Sequence, residues 1–306
     1  MISIIIPSKD RLDIIKQCLN NIAVSIQDYD IEVIVVNDSK VLNLKEALSN
    51  YSNVQVHDNK KSGVASARNF GASLAKGQWL LFLDDDMLVN KECFQIYTTY
   101  TSMQEPFTAN IDWVYPPEVL ANIKKTAFGR FLIQYGFTTL KGWNNFIEYP
   151  NNQMIKADGI TSQNLLMRTS DFKTSGGYNE TFPMAGFEDY AFSTELKKKG
   201  FKMYIDTRAQ MYHNEADRQT PEQWYQRKIR GAQTRKVAVE LGYKELEIQY
   251  SGLKHLFYSF YNVSLAVTNC LLFISTKSKR FDFFSFKCYK FLLGLSIYKG
   301  YHSKPQ

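Results

Sequence analysis

The chain has 306 residues, 44% of them apolar and 22% charged, a composition that suits a folded globular protein and excludes a mostly disordered one. At about one domain per 150 residues, this length allows roughly two domains. The net charge of +7 resides wholly in residues 251–306, which hold eight basic residues and one acid, Asp282, and leave residues 1–250 electrically balanced.

The opening MISIIIPSKDR lacks a basic leader and a small-residue cleavage site, so no signal peptide is expected. Ile2–Ile6 and Ile31–Val36 are short β-branched runs that read as strands buried on both faces. Between them Leu12, Ile15, Leu19 and Ile22 recur at helical spacing, with Asp10 as N-cap. A weaker helix is expected around Leu42–Leu48, then a strand at Val54–His57, a small-residue helix at Val64–Ala75 and a strand at Trp79–Leu83. Strand–helix alternation at this pitch predicts a mostly parallel, doubly wound α/β sheet flanked by helices. Further along, Asn164–Met167 reads as a strand, and Gly176-Gly177-Tyr178-Asn179-Glu180 as a turn. A helix begins near Glu188 and ends at Lys197-Lys198-Lys199-Gly200. Four widely spaced cysteines without a CxxC pair argue against a disulfide framework or a thiolate zinc site, and suit a reducing compartment.

Ligands of an open parallel sheet sit beyond the carboxyl ends of its strands, so the residues after each strand carry the chemistry. These are Pro7 to Arg11, Asn37-Asp38-Ser39, Asp58 to Lys61 and Asp84-Asp85-Asp86. Neither GxGxxG nor GxxxxGK[ST] follows the first strand, which excludes a dinucleotide fold of the dehydrogenase type and a P-loop ATPase. Three carboxylates in a row at a strand end repel one another unless a cation sits among them, and hard oxygen donors suit Mg²⁺ or Mn²⁺. Read alone, Asp38 is equally ordinary turn chemistry and Arg68 equally a surface arginine on a small-residue helix, whereas a solvated acidic turn is the lesser reading of the triplet. Glu188 and Asp189 follow Gly186, which offers close approach; as acids in a first helical turn they also gain about 0.3–1 kcal/mol from the helix dipole. His213 stands alone, outside any HExxH pattern.

Taken in order, Ser3 to Pro7, Val35-Val36-Asn37-Asp38, Ala67-Arg68-Asn69-Phe70-Gly71, Phe82 to Asp86, and Gly176 to Glu180 with Gly186-Phe187-Glu188-Asp189 resemble the motifs of family 2 glycosyltransferases over roughly residues 1–235. The resemblance implies a GT-A fold, a nucleotide-sugar donor (UDP-sugar first among them) and a divalent metal, Mn²⁺ or Mg²⁺. It places Pro7, Asp10, Arg11, Asp38 and Arg68 in the nucleotide pocket. Asp84 and Asp85 would lie on the nucleotide side of a DxD-like triplet, and Asp86 would hold the metal with His213. Asp189 would be the catalytic base, with Glu188 beside it, giving single displacement and inversion. Arg227 and Arg230 would contact phosphate, with Gly231 where related synthases carry tryptophan, and Trp143, in the polar aromatic run Gly142–Phe146, would face the acceptor. The family also includes the possibility of a catalytically silent sugar-nucleotide-binding protein. The implied organisation is a nucleotide-sugar half at 1–100, an acceptor and catalytic half at 101–235, and a helical tail at 236–306.

Residues 251–306 carry 13 of the 44 aromatic residues. Leu253, Leu256, Phe260, Val263, Val267, Cys270 and Ile274 recur at three- and four-residue spacing, as do Phe281, Phe284, Cys288, Phe291, Leu295 and Tyr298. This predicts two amphipathic helices joined by a basic turn. Such helices either pack on the body or form a homo-oligomer contact, or they lie on an anionic membrane. A transmembrane span is disfavoured by the polar residues between 255 and 274, and nucleic-acid binding by the lack of any recognition motif. The expectation is a cytoplasmic protein, peripheral on the inner face of the plasma membrane, whose pocket around Trp143 and Asp189 takes a saccharide or lipid-linked saccharide in surface polysaccharide synthesis.

Overall fold

A computed structural model describes residues 1–26, 29–100, 103–143 and 150–304. In chain order the elements are β1 (Ile2–Ser8), α1 (Leu12–Ser25), β2 (Ile31–Asn37), α2 (Leu44–Ala47), β3 (Val54–Asp58), α3 (Val64–Leu74), β4 (Trp79–Leu83), β5 (Met87–Leu88), α4 (Lys91–Thr99) and β6 (Phe107–Val114). There follow α5 (Pro117–Ile123), α6 (Ala127–Gln134), α7 (Leu140–Trp143), β7 (Met154–Lys156), β8 (Asn164–Arg168), α8 (Thr169–Ser175), α9 (Glu188–Lys198) and β9 (Lys202–His213). The chain closes with α10 (Pro221–Glu240), α11 (Gly252–Ser259), α12 (Tyr261–Ser275) and α13 (Asp282–His302).

Two compact units result. The first comprises Met1–Tyr115, Ile147–Pro183 and Glu188–Asn214, and the second Pro116–Phe146, Met184–Phe187 and Glu215–Gln306. These units cut across the tripartite division read from the sequence. The stretch 101–235 is shared between them, and the tail belongs to the same unit as α10.

The first unit is built on one sheet of order β3-β2-β1-β4-β8-β6-β9-β5, with β7 on β9. β1 pairs in parallel with β2 and β4, and β2 with β3, as the strand–helix alternation predicts. Beyond β4 the directions mix: β8 is antiparallel to β4 and β6, and only the β6–β9 pair is parallel again. The β-branched runs of β1 and β2 are buried because α3 covers them closely. A methyl group on Gly71 would lie 2.4 Å from Ile5 Cγ2, so only glycine lets the helix approach this near. Asp10 does not cap α1. Arg11 stands at the N-cap position but its side chain does not cap the helix, while Asp10 takes a left-handed φ of 57° and its carboxylate accepts from the Ser39 hydroxyl.

The second unit is helical. Phe128, Phe131, Trp224, Phe286, Tyr289, Leu292 and Leu295 form its core, so α6, α10 and α13 pack together. A methyl on Gly300 of α13 would meet the Ile229 carbonyl of α10 at 2.2 Å, which marks how closely these two helices run. The single helix expected over 253–274 is broken: α11 and α12 meet at an angle of 83°. The break has a local cause. Ser259 Oγ donates to the Leu256 carbonyl, and Ser264 Oγ reaches back to the Phe257 carbonyl at 2.8 Å, satisfying backbone groups that a continuous helix would have paired. Among the described residues no single helix is long and apolar enough to cross a membrane.

Candidate active site

Three strand ends and one helix start bring the acidic motifs together in the first unit. The parallel β1–β4 register sets Asp84-Asp85-Asp86 beside the residues that follow β1. Ser8 Oγ donates to Asp85 Oδ2 at 2.7 Å, and Arg11 Nη1 donates to Asp85 Oδ1 at 2.6 Å and to Asp86 Oδ2 at 2.7 Å. From the other side, Arg68 of α3 donates to Asp84 Oδ1 at 2.9 Å and to Glu188 Oε1 at 3.1 Å, and lies 3.7 Å from Asp189 Oδ1. The charge compensation that the triplet requires therefore comes, at least in part, from two arginines of the chain itself.

Burial sets the electrostatics here. It raises the pKa of Asp84 despite the opposing charge of Arg68, and pushes Asp85 up to about 7 against the pull of Arg11. Burial likewise works against the Arg68 cation, but the carboxylates of Asp84, Asp189 and Glu188 outweigh it and hold the guanidinium protonated.

The two acids at the start of α9 are separated by exposure. The Glu188 side chain is 4% exposed and is committed to Arg68, whereas that of Asp189 is 26% exposed. Asp189 is held by Ser162, whose backbone N–H donates to Oδ2 at 3.0 Å and whose hydroxyl donates to Oδ1. The Ser162 hydroxyl also meets the buried Tyr178 hydroxyl at 2.6 Å. Ser162 is positioned because β8 begins two residues later and pairs with β4, with Asp84 N–H donating to the Gln163 carbonyl.

His213 reaches the triplet through the sheet. β5 and β9 pair with Met87 opposite His213, and Asn214 N–H donates to the Asp86 carbonyl at 2.7 Å. His213 Nε2 then lies 3.3 Å from Asp86 Oδ1, with the Trp113 ring edge-on at 4.7 Å and Tyr115 at 5.7 Å. Asp86 and His213 are both buried, and a carboxylate beside an imidazole has the chemistry of a divalent-cation site. Carboxylate oxygens with an imidazole nitrogen suit Mn²⁺ better than Mg²⁺, which prefers oxygen and water.

Residues 3–163 match the family described as "Glycosyl transferase family 2". The chain belongs to this family. A glycosyltransferase of Haemophilus influenzae, named as uncharacterised, is 33% identical over 119 residues, 38% of this chain and 38% of that one. Glycosyltransferase GlyG of Streptococcus pneumoniae is 32% identical over 111 residues, 34% of this chain and 36% of that protein. The matched span thus covers little more than a third of these relatives. Among solved structures, the mannosyltransferase PcManGT of Pyrobaculum calidifontis, in complex with GDP-Man and Mn²⁺, superimposes with a TM-score of 0.56 at 13% identity, over 97% of this chain and 86% of that one. GalNAc-T7 with UDP, GalNAc and Mn²⁺ gives 0.54 at 16% identity, over 70% of this chain and 44% of that one. These likenesses establish the GT-A fold.

Within this family 2 chain, the remaining sequence candidates divide. Asp38, at the end of β2, accepts from Asn59 Nδ2 at 2.7 Å and from Gly63 N–H at 3.0 Å, so one of its oxygens organises the turn before α3. Pro7 is inside β1, opposite Val36, next to the strand end. Arg227, expected at phosphate, is bidentate to Glu215 within the second unit. Arg230 is exposed, and the neighbouring Arg218 and Arg227, with partial burial, lower its pKa. The Trp143 side chain lies outside the described residues, as do Asn144, Asn145 and Phe146. Gly186 packs closely against α10. A methyl there would sit 2.0 Å from Thr234 Oγ1, so this glycine is required by α10.

Sequence reasoning missed Ser162, for which the chain offers no pattern, and the role of Asn69. Asn69 Oδ1 accepts from Tyr178 N–H at 2.9 Å and its Nδ2 donates to the Tyr178 carbonyl at 2.8 Å, stapling α3 to the Gly176–Glu180 turn. Glu180 closes the same corner by accepting from Asn69 and from Lys61. Both residues stood inside recognised motifs, yet motif order carries no information about which motifs touch.

Proposed function

We propose that this protein is an inverting glycosyltransferase that moves a sugar from a nucleoside-diphosphate sugar, a UDP-sugar being the first donor to test, to a hydroxyl of a saccharide or lipid-linked saccharide. The observation that carries the reading is Asp189. It is a partly exposed carboxylate at a helix start, fixed by Ser162 and set 3.7 Å from the arginine that also holds Asp84.

In the reaction, the bond between the anomeric carbon and the diphosphate oxygen breaks as the acceptor oxygen bonds to that carbon. Asp189 takes the acceptor hydroxyl proton during attack, which makes a poor nucleophile competent. Glu188 is buried against Arg68 and positions it, keeping the guanidinium beside Asp84. The nucleotide lies at the carboxyl ends of β1, β2 and β4, where Pro7, Asp10, Arg11, Asp38, Asp84 and Asp85 gather and where open sheets bind their ligands. Asp86 and His213 are the residues that would hold Mn²⁺ or Mg²⁺. When bound, the cation supplies positive charge against the negative charge that develops on the leaving diphosphate. PcManGT and GalNAc-T7 are both described with a nucleotide or nucleotide sugar and Mn²⁺, which supports the donor class and the metal.

The test is a panel of UDP-, GDP- and dTDP-sugars assayed for hydrolysis and transfer with and without Mn²⁺ or Mg²⁺, followed by NMR of the product. Metal-dependent turnover of one donor and an inverted anomeric centre are expected. Turnover of no donor would point to the silent sugar-nucleotide-binding alternative. A product that keeps the donor's configuration would remove the single displacement.

A further inference from the structure

The second unit carries an apolar surface that its own core does not use. Only Thr268, Leu272 and Ser275 of α12 are buried, and no residue of α11 is. Thr268 and Ser275 are polar, and Ser275 meets the Ser285 hydroxyl at 2.8 Å, so the inner face of α12 is partly a polar seam. The stripe Leu253, Leu256, Phe260, Val263, Val267 and Ile274 faces solvent instead; Val263 is 62% exposed and Phe260 61%. At the start of α13 the pattern continues, with Phe283 74% exposed and Phe281 and Phe284 exposed as well. Isolated apolar side chains on a surface are ordinary, but a run of this extent marks an interaction site.

The charges of this surface choose its partner. Lys277 lies 4.6 Å from the Phe273 ring and Lys287 4.3 Å from the Phe283 ring, so cations are interleaved with the exposed aromatics. Lys254 is exposed on α11, and Lys279 and Arg280 are exposed in the turn between α12 and α13. The one acid of residues 251–306 is neutralised from within the unit: both Asp282 oxygens accept from Arg130, at 2.6 and 2.7 Å. A second copy of the chain docking through this face would bring like cations together.

We propose that α11, α12 and the start of α13 form a membrane-docking surface that lies in the interface of an anionic phospholipid leaflet. The apolar stripe enters the acyl boundary, while Lys254, Lys277, Lys279, Arg280 and Lys287 meet headgroup phosphates. The 83° bend between α11 and α12 suits a surface element, since it ends the apolar run before it reaches the length of a span. The natural location is the cytoplasmic leaflet, which carries the negative surface potential. This docking does not depend on which sugar is moved and is measured without turnover.

The experiment is co-sedimentation of the full chain with phosphatidylglycerol-containing vesicles and with pure phosphatidylcholine vesicles. The wild type should pellet with the anionic vesicles, and its binding should weaken as salt rises from about 0.1 M to about 1 M and screening shortens from about 10 Å to about 3 Å. Val263→Glu with Val267→Glu should reduce binding at every salt concentration. Lys277→Glu, Lys279→Glu and Arg280→Glu together should remove the preference for anionic lipid and lower binding by at least about tenfold, each cation contributing a factor of about five. These positions are exposed, so circular dichroism of the variants should match the wild type. A chain that stays in the supernatant, or binding unchanged by either set of substitutions, overturns the proposal. So does a homodimer that the valine substitutions dissociate while vesicle binding is absent. Resistance of the vesicle-bound chain to alkaline extraction would also overturn it, in favour of a bent span.

Discussion

In the first unit Arg68, Asp85, Asp86 and Glu188 are buried, while in the second Leu253, Phe260, Val263, Phe273 and Phe283 stand in solvent. The two regions invert the usual distribution of side chains in opposite senses, and each inversion carries a cost the fold alone does not repay. Buried carboxylates lose hydration, and the arginines that compensate them lose it too, so such a cluster contributes little net stability. Exposed aromatics forgo the burial that would stabilise them by about 1.5–3 kcal/mol each. The difference between the regions is instructive. The charged cluster is largely closed, with hydrogen-bonded partners within the chain, and the groups left partly open are Asp84 and Asp189. The apolar face is unclosed, so its use lies in what comes to cover it.

The largest expected effect tests that opening in the charged cluster. Asp189→Asn should keep fold and donor binding while lowering turnover by about 10²–10⁴-fold, the share of a general base. A near-normal rate constant in steady-state assays would move the base elsewhere. Arg68→Met comes next. It leaves the buried Glu188 and the half-buried Asp84 without their cation and should cost about 3–5 kcal/mol in urea unfolding; no loss would mean that the cluster relaxes or takes up water.

The tail then offers the comparison within itself. Leu295→Ala, in the α6–α10–α13 core, should cost about 2–5 kcal/mol, whereas Val267→Gln, on the exposed stripe, should change stability by less than about 0.5 kcal/mol. A large loss at Val267 in thermal or urea unfolding would show that this face is covered. Gly186→Ala should cost about 1–3 kcal/mol through the clash with Thr234, and Thr234→Ala in the same chain should recover much of it. Failure of that rescue would return Gly186 to a role other than packing.

The reading of the sequence was strongest where local and long-range signals agree. β1, β2, β3, α3 and β4 follow from runs of β-branched and small residues, because a strand buried on both faces and a helix pressed against it leave few residue choices. The order of five motifs was sufficient to indicate the family. It also singled out Arg68, within the small-residue helix α3, Asp84, after a strand end, and Glu188 and Asp189, at a helix start.

What only the tertiary structure decided is which surfaces meet. Periodicity marks an apolar stripe on α11 and α12 but does not say whether it turns inward, and here the Thr268–Leu272–Ser275 face turns inward instead. Spacing puts Glu188 and Asp189 in one helical turn, yet their separation into a buried partner of Arg68 and a partly open carboxylate depends on Ser162, 27 residues away in sequence. Gly186 reads equally well as room for a substrate or room for a helix until Thr234 is seen against it. Local sequence sets the conformation a segment prefers. Burial, charge compensation and the direction a face points are properties of contacts between distant segments, and those arise only when the chain has closed on itself.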